Sequence, residues 1–397
     1  MLIPFTARQD AIRTRYTEVG RQIAANRASR PPGFDEAGWR RLRDEGLWSL
    51  ICDAKEDGMA AAWLDFTAAL DGLACTLRAP ALLLSAIAQA GLVRALQRHG
   101  SDFQRRKYMT ALAEGKLGAT GIAEPTSGTD VRSTRTVLVR EGLHYRLSGS
   151  KYNIAHAPMA EFTLVVCRHE GDKGAVALVL VDNGAPGVHA GPADDKLGNT
   201  DLPTGSLRFD RVIVAADQVL GDPQRGLMQL IDIVSLGRLY YGLLAANIVR
   251  PFLDEALNYA LQRESFKEPI ADHQYVQRRL TDIRIGIERS RWTALGALGQ
   301  LLAEHPDAVL SCSVAKLVGS DDLIRSAIDL VRLYGSLGYH EGDISRLARD
   351  ALGFASVGGT EEMHRKNIYN QMTRRVPAAP LAASPAAETA AAAVPVG

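Results

Sequence analysis

The chain has no closely spaced cysteines. Cys52, Cys75, Cys167 and Cys312 are far apart and form no CxxC pair. That spacing argues against zinc and against a disulfide framework, and it predicts reduced thiols in a cytoplasmic protein. The chain also lacks an excess of either charge, with 46 Lys and Arg against 45 Asp and Glu. A balanced chain offers no general attraction for nucleic acid or an anionic membrane, which makes neither an expected partner. The first thirty residues carry Arg8, Asp10, Arg13, Arg15 and Glu18, a pattern unlike a signal peptide. No apolar run is read as reaching the ~18 residues of a membrane span. No GxGxxG motif opens a helix after a strand, which argues against a dinucleotide-binding βαβ unit.

What is present divides the chain by periodicity. With 397 residues, 46% of them hydrophobic, it can bury a large core spread over two or three domains. Residues 1–118 read as helical, with apolar residues three and four apart around Trp39-Leu42-Leu47 and Leu83-Ile87. Residues 119–225 carry short β-rich runs, among them Phe162 to Val166 and Val176 to Val181, separated by turns such as Asp182-Asn183-Gly184. Helical periodicity returns over 226–375. Residues 376–397 are mostly Ala and Pro and read as a disordered tail. Strands segregated between two helical regions make this an α+β chain.

One loop carries the chemistry. Gly121 to Asp130 reads GIAEPTSGTD. Small residues there let a backbone approach a flat ring system, and exposed N–H groups can bond ring oxygens. Further segments follow in order: Leu147 to Lys151, Lys196-Leu197-Gly198, Gly237-Arg238, Arg263 to Phe266, His273-Gln274, Tyr334 to Gly338, Arg349-Asp350 and Gly359-Thr360. Together, over roughly residues 34 to 370, they resemble the acyl-CoA dehydrogenase superfamily of flavoproteins. The resemblance implies an N-terminal helical domain, a middle β-barrel or sandwich and a C-terminal four-helix bundle. It implies FAD bound without a covalent link between subunits of a dimer or tetramer. Ile122, Ala123, Gly128, Thr129, Asn153 and Ala155 then face the flavin. Arg263, Phe266, Gln274, Gly335, Gly338, Gly359 and Thr360 complete the cofactor site. Ser235, Gly237, Arg238, Tyr241 and Gly358 line a substrate pocket. The implied substrate is an acyl thioester on CoA or a carrier protein, with a separate electron acceptor.

The chain departs from that pattern where the chemistry is most demanding. In dehydrogenation of an acyl thioester, a hydride leaves the β-carbon while a base on the opposite face takes the α-proton. The resemblance puts that base, a glutamate, just before the Gly-Thr pair, where this chain has Gly358. In some relatives the base precedes the helix arginine, where this chain has Gly237. Other positions differ as well: Ala123 replaces a hydroxyl residue, Asn153-Ile154-Ala155 replaces an aromatic-Ile-Thr unit, and Ser235 replaces an aspartate.

Three readings of the chemistry follow. A displaced base could serve, with His156 first among His156, Tyr240, Tyr241, Glu361 and Glu362. The oxidised bond could be one whose proton is more acidic, as in hydroxyacyl or aminoacyl groups of specialised metabolism. Reduced flavin could work with oxygen, in a monooxygenase whose two glycines leave room for a bulky substrate. The non-enzymatic alternative is an inert flavin-binding homologue. Gly358→Glu is expected to restore acyl-CoA dehydrogenation if the rest of the site is intact.

Overall fold

The computed structural model describes residues 5–26, 33–54, 58–78, 80–128, 130–170 and 175–374. The tail and Thr129 lie outside them.

The N-terminal region is helical: α1 (Ala7–Ala25), α2 (Glu36–Asp44), α3 (Ser49–Cys52), α4 (Met59–Ala74), α5 (Pro80–His99), α6 (Asp102–Gln104) and α7 (Thr110–Ala113). Helix α1 starts at a capping box: the Thr6 side chain accepts from Gln9 N and the Gln9 side chain accepts from Thr6 N. Seven strands follow: β1 (Gly118–Gly121), β2 (Val137–Glu141), β3 (His144–Ala155), β4 (Phe162–His169), β5 (Val176–Asp182), β6 (Val188–Ala190) and β7 (Thr204–Ala215). They form one mixed sheet in the order β1-β4-β2-β3-β7-β6, with β5 on the other edge of β4. The β1–β4 and β2–β4 pairings are parallel and the others antiparallel.

The unbroken apolar runs of β4 and β5 have a physical cause, because both faces of these strands are covered. Phe162, Leu164, Val166, Leu178 and Leu180 join the large core shared with the helices. Val165, Cys167, Ala177, Val179 and Val181 alternate with them into a second core enclosed by the sheet itself, with Leu138, Leu147, Leu207 and Val214.

The C-terminal region holds α8 (Gly226–Gln262), the small hairpin β8 (Glu264–Ser265) and β9 (Glu268–Pro269), α9 (Gln274–Leu302), α10 (Ala308–Tyr334), α11 (Ser336–Tyr339), α12 (Asp343–Leu352) and α13 (Glu361–Thr373). The three long helices α8, α9 and α10 pack against one another, and α12 and α13 close on α10. Helices α5 and α8 are long and apolar enough to cross a membrane, contrary to the reading of the sequence. Both are core helices, their apolar windows mostly buried within the fold, and Arg94 of α5 pairs with Asp232 of α8 at 2.6 Å.

Candidate active site

The loop after β1 is braced from beneath by a buried ion pair. Lys151 Nζ, fully buried, donates to Glu124 Oε1 at 2.8 Å, Thr134 Oγ1 at 2.9 Å and Ile122 O at 2.9 Å. Glu124 also accepts from Arg135 N (2.7 Å), Thr136 N (2.9 Å) and the Thr134 hydroxyl. Burial alone would raise the Glu124 carboxyl. The hydrogen bonds from Lys151, Thr134 and Arg135 N outweigh it and hold it down at about 2. Glu124 is therefore an ionised anchor, and its oxygens are spent on the loop. Burial pushes Lys151 down from its ordinary value against the pull of Glu124. Above this anchor, Ile122 and Ala123 lie beside β3, where Tyr152 N donates to Ala123 O at 3.1 Å. The β3–β7 register breaks between Lys151 and Ile154, which turns Tyr152 and Asn153 outward, with Asn153 in the left-handed region at φ +51°. Gly128 and Asn153 are exposed, and Ala155 is half-buried.

His156 does not present a free base. It is fully buried, and its partners fix its tautomer. Gln89 Oε1 accepts from Gly118 N at 2.8 Å, and Gln89 Nε2 donates to Gly118 O at 3.0 Å. That amide's second hydrogen faces His156 Nδ1 at 3.1 Å, so Nδ1 accepts. His156 Nε2–H then donates to Ser85 Oγ at 2.9 Å, and the Ser85 hydroxyl donates to Ala81 O at 3.0 Å. Burial pushes the imidazole down to about 4. Both ring nitrogens are occupied, and the ring ties β3 to α5. Tyr240 is likewise interior, its hydroxyl 3.0 Å from Thr67 Oγ1. Glu361 is exposed and paired with Arg365 at 2.6 Å, and Glu362 is exposed beside it.

The structure brings Gly237, Tyr241 and Gly358 together. Gly237 and Tyr241 are one helical turn apart on α8, on the same face. A Cβ added at Gly358 would overlap the Tyr241 ring, 2.6 Å from Cδ2 and closer still to Cε2. Gly358 also sits at φ +70°, a conformation that side chains resist. At Gly237 the nearest atoms to an added Cβ are Ile87 Cγ2 and Tyr241 Cε2, both at 3.8 Å, and Tyr241 Oη at 4.0 Å. The phenol thus occupies the room in front of one glycine and borders the other. Two expectations change as a result. The glycines do not enlarge the pocket at 358, and Gly358→Glu is not accommodated without moving Tyr241. The Tyr241 ring is packed edge-on to Phe354 at 6.4 Å. Its hydroxyl makes no hydrogen bond among the described residues, and burial pushes it up to about 12.

Behind this group lies a buried cationic floor made of Arg238, expected in the pocket, and Lys316, which the sequence did not announce. Arg238 is buried, with Nη2 3.7 Å from Met363 Sδ, while Nε and Nη1 have no partner among the described residues. Lys316 Nζ donates to Phe354 O at 3.0 Å. Burial first, then the Arg238 charge, lowers Lys316 to about 8. The same two causes, with Lys316, hold buried His364 at about 3, and its Nε2 lies 3.2 Å from Gly358 O. Gly359, at φ +112°, precedes Thr360, which starts α13 in an extended conformation. Ser235 is not part of this arrangement. It is fully buried, and its hydroxyl donates to Ile231 O of its own helix at 2.6 Å.

The remaining cofactor candidates face outward. Arg263 caps the end of α8, Phe266 turns the β8–β9 hairpin at φ +54°, and Gln274 begins α9. All three are exposed, Phe266 at 92%. The Arg263 guanidinium has no ion pair among the described residues. Gly335, at φ +60° with nothing near its α-carbon, ends α10, and Gly338 packs against Val331.

Models of the acyl-CoA dehydrogenase N-terminal, middle and C-terminal domains match residues 6–116, 119–212 and 224–373. The chain belongs to the acyl-CoA dehydrogenase family, a class of flavoprotein oxidoreductases. It is 31% identical over 270 residues to a short-chain-specific acyl-CoA dehydrogenase of Megasphaera elsdenii, covering 66% of this chain and 70% of that protein. It is 29% identical over 280 residues to a 3-(aryl)acrylate reductase of Clostridium sporogenes, covering 69% and 74%. The butyryl-CoA dehydrogenase structure from Megasphaera elsdenii superposes with a TM-score of 0.87 at 25% identity, covering 94% of this chain and all of that one.

Proposed function

We propose that the chain is an FAD-dependent oxidoreductase acting on an acyl thioester, carried by CoA or a carrier protein, without a carboxylate base. The observation that carries this reading is the Gly237–Tyr241–Gly358 group, where a phenol stands in the space of the missing carboxylate. FAD rather than FMN fits the exposed Arg263, Phe266 and Gln274, which stand ready for the distal half of a dinucleotide on a partner subunit. The exposed Phe266, Tyr275, Leu337 and Tyr339 support self-association into a dimer or tetramer. Four unpaired thiols fit a reducing, cytoplasmic setting. Ser235, buried where an acidic contact to the thioester arm is expected, leaves the choice between CoA and a carrier to other surfaces.

Bound FAD supplies a centre that exchanges a hydride. The chain's own residues do the rest. The Glu124–Lys151 anchor fixes the Ile122–Ala123 main chain, which would hold the flavin through its exposed backbone. The cationic floor of Arg238 and Lys316 sets a positive potential behind Gly358, which favours negative charge developing on a thioester enolate. Tyr241 keeps its proton at neutral pH and would orient the substrate beside Gly237. The test is anaerobic mixing of the FAD-loaded protein with saturated and unsaturated thioesters of CoA and carrier protein, following the flavin absorbance. Electron exchange with at least one thioester is expected. Its absence, together with NAD(P)H-dependent oxygen insertion, would replace this reading with a monooxygenase.

A further inference from the structure

We propose that Tyr241 is the proton donor of a reduction and that the substrate is an α,β-unsaturated acyl thioester, whose α-carbon takes the phenolic proton. This inference rests on the thioester reading above and gives it a direction. Three observations carry it. The Tyr241 ring fills the volume that a side chain at Gly358 would claim. Its hydroxyl lies 4.0 Å from where a Cβ on Gly237 would sit, and it is held by no protein partner among the described residues. The surroundings are apolar: Ile87 from α5, Phe354 from the segment before Gly358, and Gly237 from its own helix. Burial raises the phenol, which in that setting holds its proton until a carbanion arrives. A carboxylate there would do the opposite and take a proton from a saturated substrate.

The chemistry balances. The C=C π bond is consumed. The β-carbon receives a hydride, and with it two electrons, from the reduced flavin. The α-carbon receives H⁺ from Tyr241 Oη, and the phenolate regains a proton from water. Each turnover oxidises one reduced flavin, recharged by a two-electron donor of the nicotinamide class or by an electron-transfer flavoprotein.

The variant is Tyr241→Phe, which keeps the ring against Gly358. Reduced holoenzyme is mixed anaerobically with crotonyl- and cinnamoyl-thioesters and, separately, with a nitroalkene. The nitroalkene accepts hydride but leaves as a nitronate, with no proton needed on carbon. Loss of a general acid slows thioester reduction by ~10²–10⁴-fold, while nitroalkene reduction changes by no more than about threefold. A second readout needs no turnover. The oxidised variant binds the enolate of an acetoacetyl thioester ~10- to 100-fold more weakly, as expected for loss of a hydrogen bond to an anion. Equal losses with both oxidants, or unchanged thioester reduction, would overturn the donor role. Bleaching by saturated thioesters with no reoxidation by unsaturated ones would also refute it, while leaving the thioester reading intact. No exchange with either would remove both.

Discussion

Installing a carboxylate is a sharp test of the geometry, because the two empty base positions differ in what surrounds them. At Gly358 a glutamate meets two penalties. The backbone at φ +70° costs a side chain roughly 1–2 kcal/mol. Overlap with the Tyr241 ring adds ~1–3 kcal/mol of overpacking. Gly358→Glu should therefore lose about 2–5 kcal/mol of stability. Adding Tyr241→Ala should return the overlap part only, a coupling of ~1–3 kcal/mol in a double-mutant cycle. At Gly237 the backbone is helical, and the nearest atoms are at ordinary contact distance, 3.8 Å. Replacing a helix-interior glycine there gains roughly 0.5–1 kcal/mol of backbone propensity. That gain offsets part of the cost of a partly buried carboxylate. Gly237→Glu should fold near wild-type stability and speed flavin bleaching by butyryl-CoA ~10²–10⁴-fold. Urea midpoints and anaerobic stopped-flow absorbance measure the two quantities. A Gly358→Glu protein as stable as wild type, or one that outpaces Gly237→Glu with butyryl-CoA, would refute the packing argument.

The Glu124–Lys151 anchor gives a pH dependence with a definite sign. The folded carboxyl titrates at about 2 against an ordinary 4.5, so its contribution of about 3 kcal/mol is complete above pH 4.5. It is lost as pH falls from there towards 2. Glu124→Gln should remove that acid-dependent step and cost ~3–5 kcal/mol by stranding Lys151, as read by urea unfolding at pH 3 to 7. His156→Gln should cost ~1–3 kcal/mol of stability and leave the shape of the pH–rate profile unchanged; loss of a rate-limiting ionisation in that variant would restore His156 as a base. Arg263→Ala should weaken FAD retention ~10- to 100-fold, measured by equilibrium dialysis, while the unfolding of the flavin-free protein shifts by no more than about 0.5 kcal/mol.

Much of the framework was legible along the chain. The short β-rich runs from Phe162 and from Val176 predicted strands, and β4 and β5 divide their residues between two cores. The loop from Gly121 to Asp130 and the ordered segments that follow it, through Gly359-Thr360, carried the family resemblance. The glycines at 237 and 358 were visible as missing carboxylates, because an absent side chain needs no structure to be recognised. That α5 and α8 are long and apolar enough to cross a membrane was not seen, since Gln, Arg and Asp interrupt their runs, and burial shows the helices to be interior.

Tertiary structure decided which residues share a space. Nothing local links Tyr241 to Gly358. The Tyr241 ring reaches Gly358 only through tertiary packing, and it is that packing that turns an enlarged pocket into a filled one. Lys151 reads locally as a strand lysine, yet the β1–β3 contact buries it against Glu124. His156 reads as a reactive loop residue until Gln89 and Ser85, both from α5, occupy its nitrogens. Periodicity and residue type are properties of neighbours in the chain and survive in the sequence. Contact, desolvation and the direction in which a proton moves depend on residues distant in the chain, and these are set only when the helices and the sheet close on one another.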